Sequence, residues 1–319
     1  MRAGLAGLAL AVATAAMAAG GAPPIRAMLW VPRDADPARA FGTLPTECLK
    51  RPADPAQALS VEVGRAAFRT PVVLGGQAAR AGLSCETCHR AGRTNPDFQF
   101  PGVSGPPGTA DVTSSLFSSQ RGNGTDDPRP IPDLSGPRDR LKVDQAPGAA
   151  RLEPFIHGLI TEEFDGPEPG PAVLQGLAAY VRALGPAACP EHARQPLTVA
   201  LLMDDARRAL RAAQATAREG DRATAIVMVA SARARLGLID ERFSDPALAP
   251  ARAALRAADA RLAAAQAALR QDRPDATTAL AAWLEDSRGL EASLARREAV
   301  SLFDPGHLAR AAANRRLPG

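Results

Sequence analysis

The most constraining feature of the sequence is the motif CETCH at residues 85–89, in which two cysteines flank two residues and a histidine follows directly. A Cys-x-x-Cys pair occurs in zinc sites and in redox-active dithiols, and with an adjacent histidine it is the attachment motif of a c-type haem. A structural zinc site needs four Cys or His ligands, and the sequence has no second paired cluster. A redox dithiol normally opens a helix in a βαβ unit, which the sequence does not predict.

The motif therefore predicts the covalent attachment of one haem c. Cys85 and Cys88 would add to the two vinyl groups, and His89 would bind the iron from the proximal side. The haem would also supply an apolar surface for residues 92–169, which are rich in Pro, Gly, Ser, Thr and Asp and do not predict a core of their own.

Residues 1–22 are typical of an export signal, because Arg2 is followed by an apolar run and then by small residues. The run is shorter than the roughly 18 residues that a membrane-spanning helix needs. We therefore expect an exported, periplasmic protein with no stable membrane insertion after cleavage of the signal. An uncleaved N-terminal anchor is the alternative.

The two remaining cysteines, Cys48 and Cys189, are predicted to form a disulfide, because an exported chain folds where disulfides persist. Two separate buried thiols are the alternative.

Composition excludes some partners. The 319 residues are 46% hydrophobic and 23% charged, as in globular proteins, and the length favours two domains. Aromatic residues are only 4% of the chain, which argues against binding single-stranded nucleic acid by base stacking. The net charge is only +4, and the C-terminal basic residues alternate with acidic ones, so we expect no nucleic-acid partner.

The chain is expected to be all-α. Residues 23–60 are predicted to be an extended leader, and residues 61–195 a haem domain with helices at 61–70 and 171–184. Residues 196–319 are rich in Ala, Arg and Leu and predict an antiparallel bundle of two helical hairpins with a short tail. A repeated pattern near residues 212 and 264 supports the hairpins, and a helical stripe consists of Leu255, Ala258, Leu262, Ala265 and Leu269.

The sixth ligand of the iron is less well specified. No methionine lies between Arg90 and Leu184, and the only imidazole there is His157. By elimination His157 is the candidate distal ligand, or the distal acid–base group if the iron has an open position. The alternative is a solvated histidine near a helix start. The nearby acidic residues are expected to form a solvated turn or to orient His157.

Three segments resemble a known family. The run at residues 63–68 (VGRAAF), the haem motif with its approach at 82–89, and the element at 154–158 (PFIHG) are similar to the bacterial di-haem cytochrome c peroxidase and methylamine-utilisation family. The helices before and after the motif also resemble the crossing terminal helices of class I c-type cytochromes. In that comparison Gly64 and Phe68 would meet Tyr180. This chain has one haem motif, so two-haem peroxidase chemistry within one chain is excluded.

Two functions remain open. The first is a mono-haem cytochrome that passes single electrons between periplasmic redox partners, with residues 196–319 as a docking or self-association surface. The second is a peroxidase-like enzyme with an open distal position, and a haem-based sensor or structural haem is a weaker alternative. We favour the first function because His157 is a candidate sixth ligand.

Overall fold

The computed structural model describes residues 23–100, 105–111 and 116–314, and the predicted export signal lies outside these ranges. The described chain is mostly helical, which confirms the all-α class. Its strands form two short antiparallel pairs, in which β1 (Thr43–Pro45) pairs with β4 (Arg194–Pro196) and β2 (Thr109–Ala110) pairs with β3 (Arg129–Pro130).

The helices follow in two groups. The first group comprises α1 (Pro55–Phe68), α2 (Gly76–Arg80), α3 (Cys85–Cys88), α4 (Leu152–Gly158) and α5 (Pro171–Ala183). The second group comprises α6 (Val199–Arg218), α7 (Arg222–Arg242), α8 (Ala249–Arg270), α9 (Ala276–Ala295) and α10 (Pro305–Ala313).

The N-terminal segment is more regular than the extended leader predicted for residues 23–60. Helix α1 begins at Pro55, where the Asp54 carboxylate accepts a 2.8 Å hydrogen bond from the backbone N–H of Gln57. Aspartate as N-cap followed by proline at the first helical position is a strong start signal. The prediction placed the start too late because the apolar periodicity begins only at residue 61. A short 3₁₀ turn, Arg26–Trp30, lies further upstream.

Helices α1 and α5 come into backbone contact at a pair of glycines. A Cβ added to Gly64 would lie 1.8 Å from the carbonyl oxygen of Gly176, so no side chain fits at this position. One turn further along, the rings of Phe68 and Tyr180 lie 5.1 Å apart, which is the aromatic contact expected from the sequence. Gly64 itself meets Gly176 rather than Tyr180.

Helices α6–α9 form the two predicted hairpins. Thr198 and Asp221 cap the first two helices, since their side chains accept the backbone N–H groups of Leu201 and Thr224. Between these helices Gly220 has a φ of +84°, which suits glycine in a tight turn. Helix α6 packs against α7 and α9, and α8 packs against the same two helices, so the four surround one core.

The boundary predicted at residue 196 does not separate two cores. Helix α1 packs on α6 and α7, and one continuous apolar cluster includes Phe68 on one side and Leu202 and Met228 on the other. The Ser231 hydroxyl also donates a 2.9 Å hydrogen bond to the carbonyl of Ala66. The bundle therefore completes the core of the N-terminal part.

The two ends of the described chain also meet. Leu308 of α10 is fully buried against Met28 and Phe41 of the N-terminal segment. The Arg242 guanidinium donates a 2.8 Å hydrogen bond to the carbonyl of Phe41. The predicted short tail is thus a packed helix that holds the segment before α1 in place.

Candidate haem-binding site

The CETCH motif forms the single-turn helix α3 and the residue after it. Ser84 and Thr87 form a reciprocal capping box, in which the Thr87 hydroxyl accepts the Ser84 backbone N–H at 3.0 Å. Residues three positions apart lie on one face of a helix, so this turn brings Cys85 and Cys88 to the same side. Both side chains line one cavity.

His89 is held in one orientation by a backbone carbonyl. Its Nδ1 lies 3.0 Å from the carbonyl oxygen of Pro132, and a carbonyl can only accept, so Nδ1 carries the proton. Burial lowers the pKa of His89 to about 4, which keeps the ring neutral at neutral pH. Nε2 is then the nitrogen whose lone pair remains for a metal, the arrangement usual for ligating histidines.

The cavity has a volume of about 410 Å³, within the range of ligand-binding clefts. Its walls are mostly apolar and come from α1, α4, α5 and the loops between α3 and α4. The apolar lining includes Phe68, Leu83, Phe98, Phe100, Ile131, Leu134, Val143, Leu152, Phe155, Ile160, Leu177 and Val181. A wide apolar cleft with two thiols and one histidine on its wall fits a covalently attached porphyrin.

The two thiols do not fit the other uses of a Cys-x-x-Cys pair. They are not joined to each other, and burial raises the pKa of Cys85 to about 12 and that of Cys88 further. A reactive dithiol needs a lowered thiol pKa. Among the described residues, no three His, Cys, Asp or Glu side chains are grouped as metal ligands, so a zinc donor set is lacking there.

His157 lies outside this cavity. It sits on α4 between Ile156, which lines the cavity, and Gly158, and its Nε2 is 2.8 Å from a carboxylate oxygen of Glu168. Successive residues of a helix point about 100° apart, so His157 faces outward when Phe155 and Ile156 face the cavity. The structure therefore does not place the predicted distal ligand in the cavity with the haem motif. His157 is instead partly exposed and paired with Glu168 in the last turn of α4.

The sequence did not identify Glu163 as a cavity residue. The sequence suggested a solvated acidic turn, but the Glu163 residue is only 4% exposed and lines the cavity near Phe164. The helical spacing places Ile156, Ile160 and Glu163 on one face, but only the folded chain shows that this face lines the cavity. Glu162, in contrast, is exposed and forms a 2.7 Å ion pair with Arg121.

A network of buried ion pairs connects the motif to α1 and α7. Glu86, inside the motif, pairs with Arg69 of α1 at 3.1 Å and with Arg235 of α7 at 3.0 Å. Burial raises the pKa of Glu86, but the two arginines outweigh burial and hold that pKa below its ordinary value.

The network continues to two further carboxylates. Arg69 and Arg65 pair with Glu47 at 2.7 and 2.8 Å, and Arg65 also pairs with Asp205 of α6 at 2.7 Å. The Tyr180 hydroxyl donates a 2.7 Å hydrogen bond to Glu47. Three arginines and three carboxylates balance in charge, as buried ionic groups require. The motif is therefore bonded to both helices of the first hairpin.

Cys48 and Cys189 form the predicted disulfide, with a Cα–Cα distance of 4.0 Å. The bond lies between the β1–β4 pair and the backbone bridge of Leu49 with Leu184, so it fastens the segment before α1 to the end of α5.

Comparisons of the chain with protein-family models, curated proteins and solved structures find no match. The resemblance to the di-haem peroxidase family therefore remains a prediction from the motifs. Within the described residues, no helix combines the length and apolar character needed to cross a membrane.

Proposed function

We propose that this chain is an exported c-type cytochrome that carries one haem and transfers single electrons between periplasmic redox partners. Cys85 and Cys88 hold the haem through thioether bonds, and His89 Nε2 binds its iron. When bound, the haem supplies one reversible one-electron couple.

The observation that carries the haem attachment in this proposal is the Nδ1 hydrogen bond of His89 to Pro132, in a cavity that also contains both motif thiols. A dithiol would not need a neutral imidazole fixed through one nitrogen, and a structural zinc site would need a fuller donor set than the described residues group together. The disulfide supports an oxidising compartment, in line with export.

A class I cytochrome fold is part of the same proposal. Its support is the close contact of α1 with α5 at Gly64 and Gly176, and the packing of Phe68 between Tyr180 and the His89 ring. The ring centroids of Phe68 and His89 are 6.4 Å apart. Helices α1 and α5 would thus enclose the haem from one side.

Expression with the export signal in a host that matures c-type cytochromes tests the proposal. Mass spectrometry should show one covalently attached haem, and the Cys85→Ala/Cys88→Ala double variant should lose it. His157→Ala is the matched control, because it also removes a polar side chain but one outside the cavity. A bare wild-type polypeptide would refute the proposal.

A second function, peroxidase-like chemistry at an open iron position, is favoured by one specific observation. Among the described cavity residues, His89 is the only histidine and no methionine is present, so the lining offers no usual sixth ligand. A high-spin ferric spectrum together with turnover of peroxide would establish this function. A low-spin ferric spectrum without peroxide turnover would favour the electron-carrier function.

A further inference from the structure

Glu163 is an ionisable group built into the haem cavity. Its side chain is 5% exposed, and Oε2 accepts no hydrogen bond from the part of the chain that the structure describes. Glu163 lines the same cavity as both motif thiols, and its charge raises the pKa values of both. A carboxylate in such a site would be costly if it served only to fill space.

The surroundings leave this carboxyl poised between its two charge states. Burial raises the pKa of Glu163 to about 8, Arg121 and Lys142 oppose this rise, and Asp111 adds to it. Arg121 Nη1 lies 3.5 Å from Oε2, a longer contact than the 2.7 Å ion pair that Arg121 makes with Glu162. The other buried carboxylates differ, since Glu86 is held ionised by two arginines.

An electron that arrives in this cavity lowers its net charge by one unit. In a low-dielectric site the added negative charge disfavours a neighbouring carboxylate and favours its protonated form. By linkage, the bound proton in turn favours the reduced state.

We propose that Glu163 takes up one proton from solvent when the haem is reduced, so that electron transfer by this protein is coupled to proton transfer. The inference rests on the proposed cytochrome function. In the balanced step, the redox partner supplies one electron to the ferric iron, solvent supplies one proton, and the only bond formed is the O–H bond of the Glu163 carboxyl. Reoxidation releases both.

Spectroelectrochemical titration of the holoprotein at several pH values, from roughly 5 to 9 around the Glu163 pKa of about 8, tests the coupling. The Glu163 pKa is higher in the reduced protein than in the oxidised protein, so the midpoint potential should fall as pH rises between these two values. The steepest slope that one coupled proton can give is a tenfold change in the reduction equilibrium per pH unit. For one electron this corresponds to a fall in midpoint potential of about 59 mV per pH unit.

The Glu163→Gln variant should lose this slope. At high pH its potential should lie above that of the wild type, because the carboxylate that stabilises ferric iron is absent. At low pH the two should converge, since glutamine resembles the neutral acid in shape. Glu162→Gln is the matched control and should keep the slope, because the Glu162 side chain is 51% exposed.

Arg121→Gln provides an independent test, because it leaves Glu163 in place and removes a cation that lowers its pKa. The pH range of the slope should move upward. A haem-containing wild type whose potential is independent of pH, or an equal slope in Glu163→Gln, would overturn the inference and leave the cytochrome function standing. Absence of haem from the wild type would refute the function itself.

Discussion

Replacement of Arg235 by leucine should destabilise the protein strongly, although the residue lies on the bundle. The Arg235 side chain is 8% exposed, and its guanidinium pairs with Glu86 at 3.0 Å and donates to the carbonyl of Arg69. Removing one partner of a buried ion pair costs about 3–5 kcal/mol, because the other charge stays buried. Glu86 keeps its contact with Arg69, so we expect the lower end, about 3 kcal/mol.

Urea unfolding of the disulfide-intact protein measures this loss. A cost of about 3 kcal/mol changes the folding equilibrium about a hundredfold and is a large part of the 5–15 kcal/mol that typically stabilises a protein. Arg233→Leu is the matched control on the same helix. Arg233 pairs with Asp259 at the surface, where both side chains are 35% exposed, and such pairs contribute about 1 kcal/mol or less.

A double-mutant cycle separates the ion pair from lost packing. Glu86→Gln removes the charge that Arg235 compensates, so the double variant should cost less than the sum of the single variants, by about 0.5–3 kcal/mol. Additive costs, or an Arg235→Leu variant no less stable than Arg233→Leu, would refute the idea that the haem motif is supported through this pair.

Further predictions concern the backbone contact, the bundle and the disulfide. Gly64→Ala should lower the free energy of unfolding in urea by about 3 kcal/mol or more, because the new Cβ would lie 1.8 Å from a backbone oxygen. Gly289→Ala is the control. It has open space around it and should be neutral or stabilising by up to about 1 kcal/mol. Truncation after Gln195 should abolish soluble, haem-loaded protein, since it uncovers the shared core; normal haem content per mole of polypeptide would contradict this. Reduction of Cys48–Cys189, which are 141 residues apart, should lower the unfolding free energy by about 4–5 kcal/mol, and an unchanged urea midpoint with reductant would argue against it.

The shared core bears on the role of residues 196–319. The sequence suggested a docking or self-association surface, and the outer faces of the bundle remain available for that proposal. Its inner face, however, covers α1 and reaches the haem motif through Arg235. We therefore expect the fold of the N-terminal part to require the bundle, whether or not the bundle also binds a partner.

Local signals in the sequence determined much of this protein. Two thiols and a histidine at fixed spacing predicted haem attachment, and an even remainder of two cysteines predicted the disulfide that the structure contains. Proline and glycine breaks together with helical apolar spacing predicted α5 and the two hairpins. The motif and the helices are readable because their signals depend on neighbours within one or two helical turns, whereas the disulfide followed from the cysteine count.

The tertiary structure alone decided which polar groups reach the cavity. His157 and Glu163 lie in adjoining turns, and the packing of Phe155 and Ile156 turns the histidine out and the carboxylate in. The pairing of Glu86 with Arg235 joins residues 149 positions apart, and no local pattern encodes such a contact. Burial and ion pairing depend on what long-range packing places opposite each side chain, so the ionisable groups around the motif could be identified only in the folded chain.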